Sequence, residues 1–376
     1  MIAVDNQNFC PAPWLSLYVD PDGSVDNCCV GRNKIGNIKT EDIKDIVSGD
    51  KNREVQRLML ANQPVPGCYW CRDGTKHNLQ QHMFRVFPDR EDPLYDQVGN
   101  FSPRYLDLRW SNTCNYACVY CSPIYSSLHA QEQKKLINIK RDTRNSLLDH
   151  VLENIREIRH IYLAGGEPTM MKENEIVLQA LLEHNPDVEI ITNTNLSETK
   201  NNRVYELLMQ FPTSRFMISV DDTDDRYNYI RWPGHWHTFT QNLQDLRARK
   251  HNDFIAFNVV VMNINAITTW DLVDRLLSQG HDAVAITVQL YNNGVDPGPW
   301  DIRHMPVAYQ ERVLKRMDQE RYRECRGWDN IRDYIAQLKT SEDASSLWQQ
   351  LDRFDLKHGV DSRQIFPLIY EYQEKS

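Results

Sequence analysis

From residue 104 onward, short β-rich runs alternate with amphipathic helical stretches, and most runs start about 30 residues apart, the length of one βα unit. The runs are Tyr105–Trp110, His160–Ala164, Val188–Thr192, Phe216–Val220, Ile255–Val261 and Ala283–Leu290. Between the first two, Leu147, Leu148, Val151, Leu152, Ile155 and Ile158 recur at helical spacing. Six such units predict an α/β fold with a parallel sheet, open or curved into a partial (β/α)6 TIM-type barrel. Folds of this kind carry their sites at the C-terminal ends of the strands.

The cysteines are distributed unevenly. Eight of the nine lie in the first 121 residues. A disulfide framework belongs to small secreted domains, and this chain has 376 residues and no basic, then apolar, leader over Met1 to Cys10. Clustered thiols then point to metal or redox chemistry in a reducing compartment, so a cytoplasmic location is expected. A mean hydropathy of −0.61 and the lack of any run of roughly 18 apolar residues argue against a membrane span. A formal net charge of −9 argues against a large nucleic-acid footprint.

Four regions are expected: a cysteine-bearing module over 1–78, a linker over 79–103, the barrel over 104–300 and a helical region over 301–376. In the module, Trp14–Val19 reads as a strand, Asp20-Pro21-Asp22-Gly23 as a turn, and Ser24–Asn27 as a return strand. Residues 40–61 read as helical.

The first motif is Cys114-x3-Cys118-x2-Cys121, directly after the first barrel strand. Three neighbouring thiolates can hold three irons of a 4Fe–4S cluster and leave the fourth open, as catalysis needs. A zinc site with a distant fourth ligand is the bland alternative. With Tyr120 as the aromatic of C-x3-C-x-aromatic-C, the motif resembles the signature of the radical S-adenosylmethionine (radical SAM) superfamily. The resemblance implies that the open iron binds the amino and carboxylate groups of S-adenosylmethionine. Reductive cleavage then yields a 5′-deoxyadenosyl radical that abstracts a substrate hydrogen.

Other residues extend the resemblance. Gly165-Gly166-Glu167-Pro168 ends the second strand and is similar to the family's GGEP element, whose backbone and carboxylate would meet the cofactor's ammonium. Thr192-Asn193 ends the third strand, as the family's Thr-Asn pair does. Ser219 and Asp221 stand in a Ser-x-Asp on strand four, followed by Arg231; by resemblance Ser219 and Arg231 would contact ribose or carboxylate, and Asn258 and Val260 would line ribose and adenine. The run Asp221, Asp222, Asp224 and Asp225 is expected to be a solvated turn.

The second motif is Cys10, then Gly23-x4-Cys28, then Cys68-x2-Cys71. Four thiolates can close a zinc or an iron–sulfur site. The stretch resembles the SPASM/twitch auxiliary-cluster modules of radical SAM enzymes, although those modules mostly follow the barrel. Cys29 competes with Cys28 as ligand, the spacing favouring Cys28. Cys325 is expected to be a buried structural thiol.

The resemblance implies a radical SAM enzyme with one auxiliary cluster and an external electron donor, acting on a peptide or protein. Oxidation or epimerisation of a small sugar-like molecule is the alternative. A non-catalytic, zinc-stabilised binding module is the rival from another class.

Overall fold

A computed structural model describes residues 6–31, 33–72, 79–135, 137, 141–291 and 298–373. The predicted module's end, 73–78, and the leading residues 1–5 lie outside that set. The chain divides into two compact units. One comprises Met1–Asn115, Ser122–Thr194 and Glu198–Arg215; the other comprises Tyr116–Cys121, Asn195–Ser197 and Phe216–Ser376.

In the first unit, β1 (Ser16–Val19) and β2 (Ser24–Asp26) form the expected hairpin, with Tyr18 opposite Asp26 and Val19 opposite Val25. The Asp-Pro-Asp-Gly turn closes on Gly23 N–H donating to the Asp20 carbonyl at 2.8 Å. The first strand is shorter than expected. Ala12–Leu15 forms a single helical turn, which Pro13 suits because its fixed φ and missing N–H cost nothing in a first turn. β3 (Gly36–Asn37) pairs with β2.

The other edge of β1 pairs in parallel with β4 (Tyr105–Leu108), from Ser16 opposite Tyr105 to Val19 opposite Leu108. β5 (His160–Leu163) and β6 (Glu189–Thr194) follow in parallel, giving the order β3-β2-β1-β4-β5-β6. The cysteine-bearing hairpin thus continues the sheet of the first three βα units.

The expected helix over 40–61 is two helices, Ile43–Ser48 and Asp50–Leu60, parted by an extended Gly49. Residues 79–103, expected as a linker, include the helix Leu79–Val86 and a 3₁₀ turn Pro93–Asp96. They contribute Met83, Phe87 and Tyr95 to a core that also holds Phe9, Trp14 and Met59, with Cys10 and Cys68 packed against it. A core of this kind stabilises through burial, about 25 cal/mol per Å² of apolar surface.

In the second unit, β7 (Arg215–Ser219), β8 (Ile255–Val261) and β9 (Ile286–Leu290) are parallel. The run from Ala283 enters as a 3₁₀ turn, Ala283–Ala285, before extending. The predicted six βα strands are all present, three in each unit, and the region after 300 is helical, with Val307–Met317, Trp328–Gln337 and Ser345–His358. No described helix is long and apolar enough to cross a membrane.

Candidate functional site

In the first unit the chain leaves β4 into the loop that carries Cys114. Ser127 Oγ donates to the Cys114 carbonyl at 3.0 Å and accepts from its N–H at 3.2 Å, while Asn112 Nδ2 donates to the Pro123 carbonyl at 2.8 Å. The Gly-Gly-Glu-Pro turn runs alongside. Glu167 N–H donates to the Thr113 carbonyl at 2.7 Å. A Cβ on Gly166 would lie 2.1 Å from that same oxygen, so only glycine lets the two backbones approach this closely. Gly165 has φ +112°, a conformation other residues rarely adopt. The two glycines are therefore explained by the fit of the turn against the residue just before Cys114.

Glu167 is 1 % exposed. Its Oε1 accepts from Thr169 N–H at 3.2 Å, from Thr169 Oγ1 at 2.7 Å and from Thr194 Oγ1 at 2.7 Å. These three neutral donors orient the carboxylate. β6 runs two residues beyond Thr192. Thr192 is buried, with no partner for its hydroxyl among the described residues, and Asn193 is half-buried. Thr194 is the residue that reaches Glu167, and sequence reasoning missed it. The available signal was its place two residues beyond Thr192, on the same face of the strand.

In the second unit, Ala117 N–H donates to the Trp232 carbonyl at 2.6 Å and Val119 N–H to that of Ile230 at 2.9 Å. Trp300 Nε1 donates to the Val119 carbonyl at 2.9 Å. Between these backbone contacts sits Arg231, 4 % exposed. Its Nε donates to Asp221 Oδ2 at 2.8 Å, Nη2 to the Tyr120 hydroxyl at 2.6 Å and Nη1 to Cys118 Sγ at 3.9 Å. Burial pushes the Cys118 thiol up to about 12, against the pull of Arg231.

Ser219 and Asn258 are register neighbours on β7 and β8, both half-buried, and Val260 lies two residues on from Asn258. The structure thus gathers Ser219, Asn258 and Val260 on one face, and Asp221, which accepts from Val260 N–H, also holds the Arg231 that bonds Tyr120.

The acidic run departs from expectation. Asp221 and Asp222 are fully buried, paired with Arg231 and Arg226, and only Asp224 and Asp225 are exposed. The first two sit in the turn leaving β7, where Val260 N–H also donates to Asp221 at 2.8 Å. Burial raises Asp222 to about 6, opposed by Arg226. Cys325 is buried, as expected, and burial pushes its thiol up to about 12.

The second cysteine set belongs wholly to the first unit. Cys10, Cys28, Cys68 and Cys71 line one cavity, together with Asn33. Cys28 Sγ accepts from Gly31 N–H at 3.1 Å, and Cys68 Sγ accepts from Asn33 Nδ2 at 3.2 Å. Cys29 does not line the cavity. Its thiol lies beside Asp107 of β4, away from the cavity that Cys28 lines. No described cysteine is in a disulfide. Among the described residues no three His, Cys, Asp or Glu side chains gather as one bound ion requires.

Residues 108–276 match the model of the radical SAM superfamily. The chain carries a radical SAM domain. Residues 10–73 match the SPASM iron–sulfur cluster-binding domain, which here precedes the radical SAM domain. Among curated proteins, a GTP 3′,8-cyclase from Haemophilus ducreyi is 32 % identical over 140 residues, 36 % of this chain and 38 % of that protein.

Among solved structures, SuiB of Streptococcus suis bound to S-adenosylmethionine is 16 % identical at a TM-score of 0.39, over 64 % of this chain and 50 % of that one. Native anSMEcpe with bound AdoMet is 15 % identical at 0.42, over 69 % and 67 %. The chain therefore spans well under half of the matched cyclase and half of SuiB.

Radical SAM and SPASM domains take S-adenosylmethionine and iron–sulfur clusters. The donor chemistry fits: four reduced thiols surround one cavity in the SPASM region, and three reduced thiols follow β4 in the radical SAM region.

Proposed function

We propose that this protein is a radical SAM enzyme that modifies a peptide or protein. In this reading Cys114, Cys118 and Cys121 hold a 4Fe–4S cluster, and Cys10, Cys28, Cys68 and Cys71 hold an auxiliary one. When bound, S-adenosylmethionine on the first cluster supplies a 5′-deoxyadenosyl radical that abstracts a substrate hydrogen, after an external donor has delivered an electron. The chain's own residues bind and orient. Glu167 presents a buried carboxylate to the cofactor's ammonium; Tyr120, Gly165, Gly166, Thr192, Asn193, Ser219, Asn258 and Val260 are assigned to binding the rest of the cofactor. We assign residues 1–78 to the auxiliary module, 79–103 to a linker, 104–300 to the barrel and 301–376 to a helical C-terminal region, and we place the enzyme in the cytoplasm.

One observation carries this reading: the GGEP turn is hydrogen-bonded to the residue just before Cys114, so the carboxylate and the first thiol share one backbone frame. The peptide substrate rests on the SPASM module, which in this superfamily accompanies peptide and protein modification. The likeness to a GTP 3′,8-cyclase supports a second reading, a small-molecule substrate. The test is anaerobic incubation with S-adenosylmethionine, dithionite and candidate peptides or sugar-like alcohols, followed by mass spectrometry. We expect 5′-deoxyadenosine and a mass-shifted peptide. Iron-free protein that forms no 5′-deoxyadenosine would favour the zinc-stabilised binding module instead.

A further inference from the structure

Arg231 was expected, by resemblance, to contact the cofactor. Its surroundings give it other work. All three guanidinium nitrogens are engaged inside the second unit, by Asp221, Tyr120 and Cys118. Asp221 is itself locked. Its Oδ1 accepts from Val260 N–H at 2.8 Å, and its carbonyl accepts from Asn265 Nδ2 at 3.0 Å and from Thr269 Oγ1 at 3.1 Å. The backbone on either side of Arg231 is pinned to residues 117 and 119. Three of the five guanidinium N–H donors, one on each nitrogen, are thus directed at protein groups of this unit.

We infer that Arg231 is a positioning residue for the cysteine loop. It fixes Cys118 and Tyr120, and its N–H, directed at the Cys118 sulfur, raises the reduction potential of the cluster held there, the charge itself being balanced by Asp221. Hydrogen bonds to ligand sulfurs and nearby positive charge stabilise the more negative, reduced state. Burial keeps solvent and salt from screening the effect. The inference rests on the reading that Cys118 holds an iron.

The test uses the full-length, iron-loaded protein. In Asp221→Asn/Arg231→Gln both charges leave together, so no lone buried carboxylate remains. The readouts are iron content, S-adenosylmethionine affinity by equilibrium dialysis, and potentiometric EPR of the signal that changes when S-adenosylmethionine is added. We expect iron to be retained, the affinity to change less than threefold, and reduction to become at least tenfold less favourable, a fall of about 59 mV for one electron. Arg231→Lys keeps the charge but loses the fork, and should fall part of the way; if the double variant loses iron, this variant decides by the same readouts. An unchanged potential, or tenfold weaker cofactor binding at an unchanged potential, overturns the inference. Full iron retention in Cys118→Ala is a separate result that overturns the cluster reading beneath it.

Discussion

Cys114, Cys118 and Cys121 lie within eight residues of one another, whereas Cys10, Cys28, Cys68 and Cys71 come from a hairpin and from helical turns far apart in sequence. Cys114 takes its place from local hydrogen bonds and from the glycines of the GGEP turn against Thr113, and Cys118 from its contact with Arg231. The other set meets only because Phe9, Trp14 and Met59 pack a small core that Cys10 and Cys68 border. A contiguous site can survive damage to a distant core; a dispersed one depends on it. The loop cysteines should therefore govern chemistry, and the dispersed cysteines both chemistry and the folding of their module.

The largest effect should come from the loop. Cys114→Ala/Cys118→Ala/Cys121→Ala should lose one cluster and abolish 5′-deoxyadenosine formation, with little change in melting temperature. Undiminished cleavage of the cofactor by this variant would end the radical reading. Next comes the dispersed set: Cys68→Ala/Cys71→Ala should lower iron to about one cluster per chain and expose residues 6–72 to protease, because a region this small has little core of its own. Cofactor cleavage without substrate should partly survive. Equal iron and equal protection in wild type and variant would show that these thiols hold no cluster.

Gly166→Ala probes the frame between turn and loop. Its Cβ would meet the Thr113 carbonyl, a backbone atom that cannot swing aside, and overpacking of this kind costs about 1–3 kcal/mol. We expect a lower melting temperature and reduced iron at the loop, with the auxiliary cluster intact by EPR. Glu167→Gln should leave both clusters in place and weaken cofactor binding. Losing one charge-assisted bond, about 1.5–3 kcal/mol, corresponds to roughly 10- to 150-fold. Unchanged affinity at full iron content would assign Glu167 to the turn alone.

The smallest effect separates acid unfolding from cluster loss. His281 is buried against Phe257, and neither ring nitrogen has a hydrogen-bond partner among the described residues. Burial pushes its pKa down to about 4, with Arg247 adding to the fall and Asp282 opposing it. The unfolded chain, with histidine near 6.5, binds the proton more readily. Stability from this group is thus present above about pH 6.5 and is lost as the pH falls towards 4. His281→Leu should flatten the fall in melting temperature between pH 7 and 5 at unchanged iron. An equally steep fall would place the acid sensitivity elsewhere.

The six barrel strands and the C-terminal helices were legible because their periodicity is local. So were the loop cysteines and the GGEP turn, whose spacing is short. The pairing of β1 with β4 was not legible, because nothing in Ser16–Val19 names a partner so distant in sequence. The first strand was read two residues too long because Trp14 and Leu15 are apolar in either a turn or a strand. Thr194 was missed since its meaning comes from Glu167, and the buried Asp221 and Asp222 were misread because their partners, Arg231 and Arg226, lie 10 and 4 residues on. Charge in a sequence window does not say which charges will meet.

The β1–β4 pairing also sets a timetable. Ser16 waits for Tyr105, 89 residues later, and at about 5–20 residues per second the ribosome takes roughly 4–18 s to supply it. All four auxiliary thiols have been synthesised once Cys71 is made, well before β4 exists. During that interval the nascent chain carries five thiols, these four and Cys29, and a strand with one open edge, the kind of edge that recruits other chains. Translation that pauses between Cys71 and Leu108 would prolong that exposure, and rapid elongation through this window would shorten it.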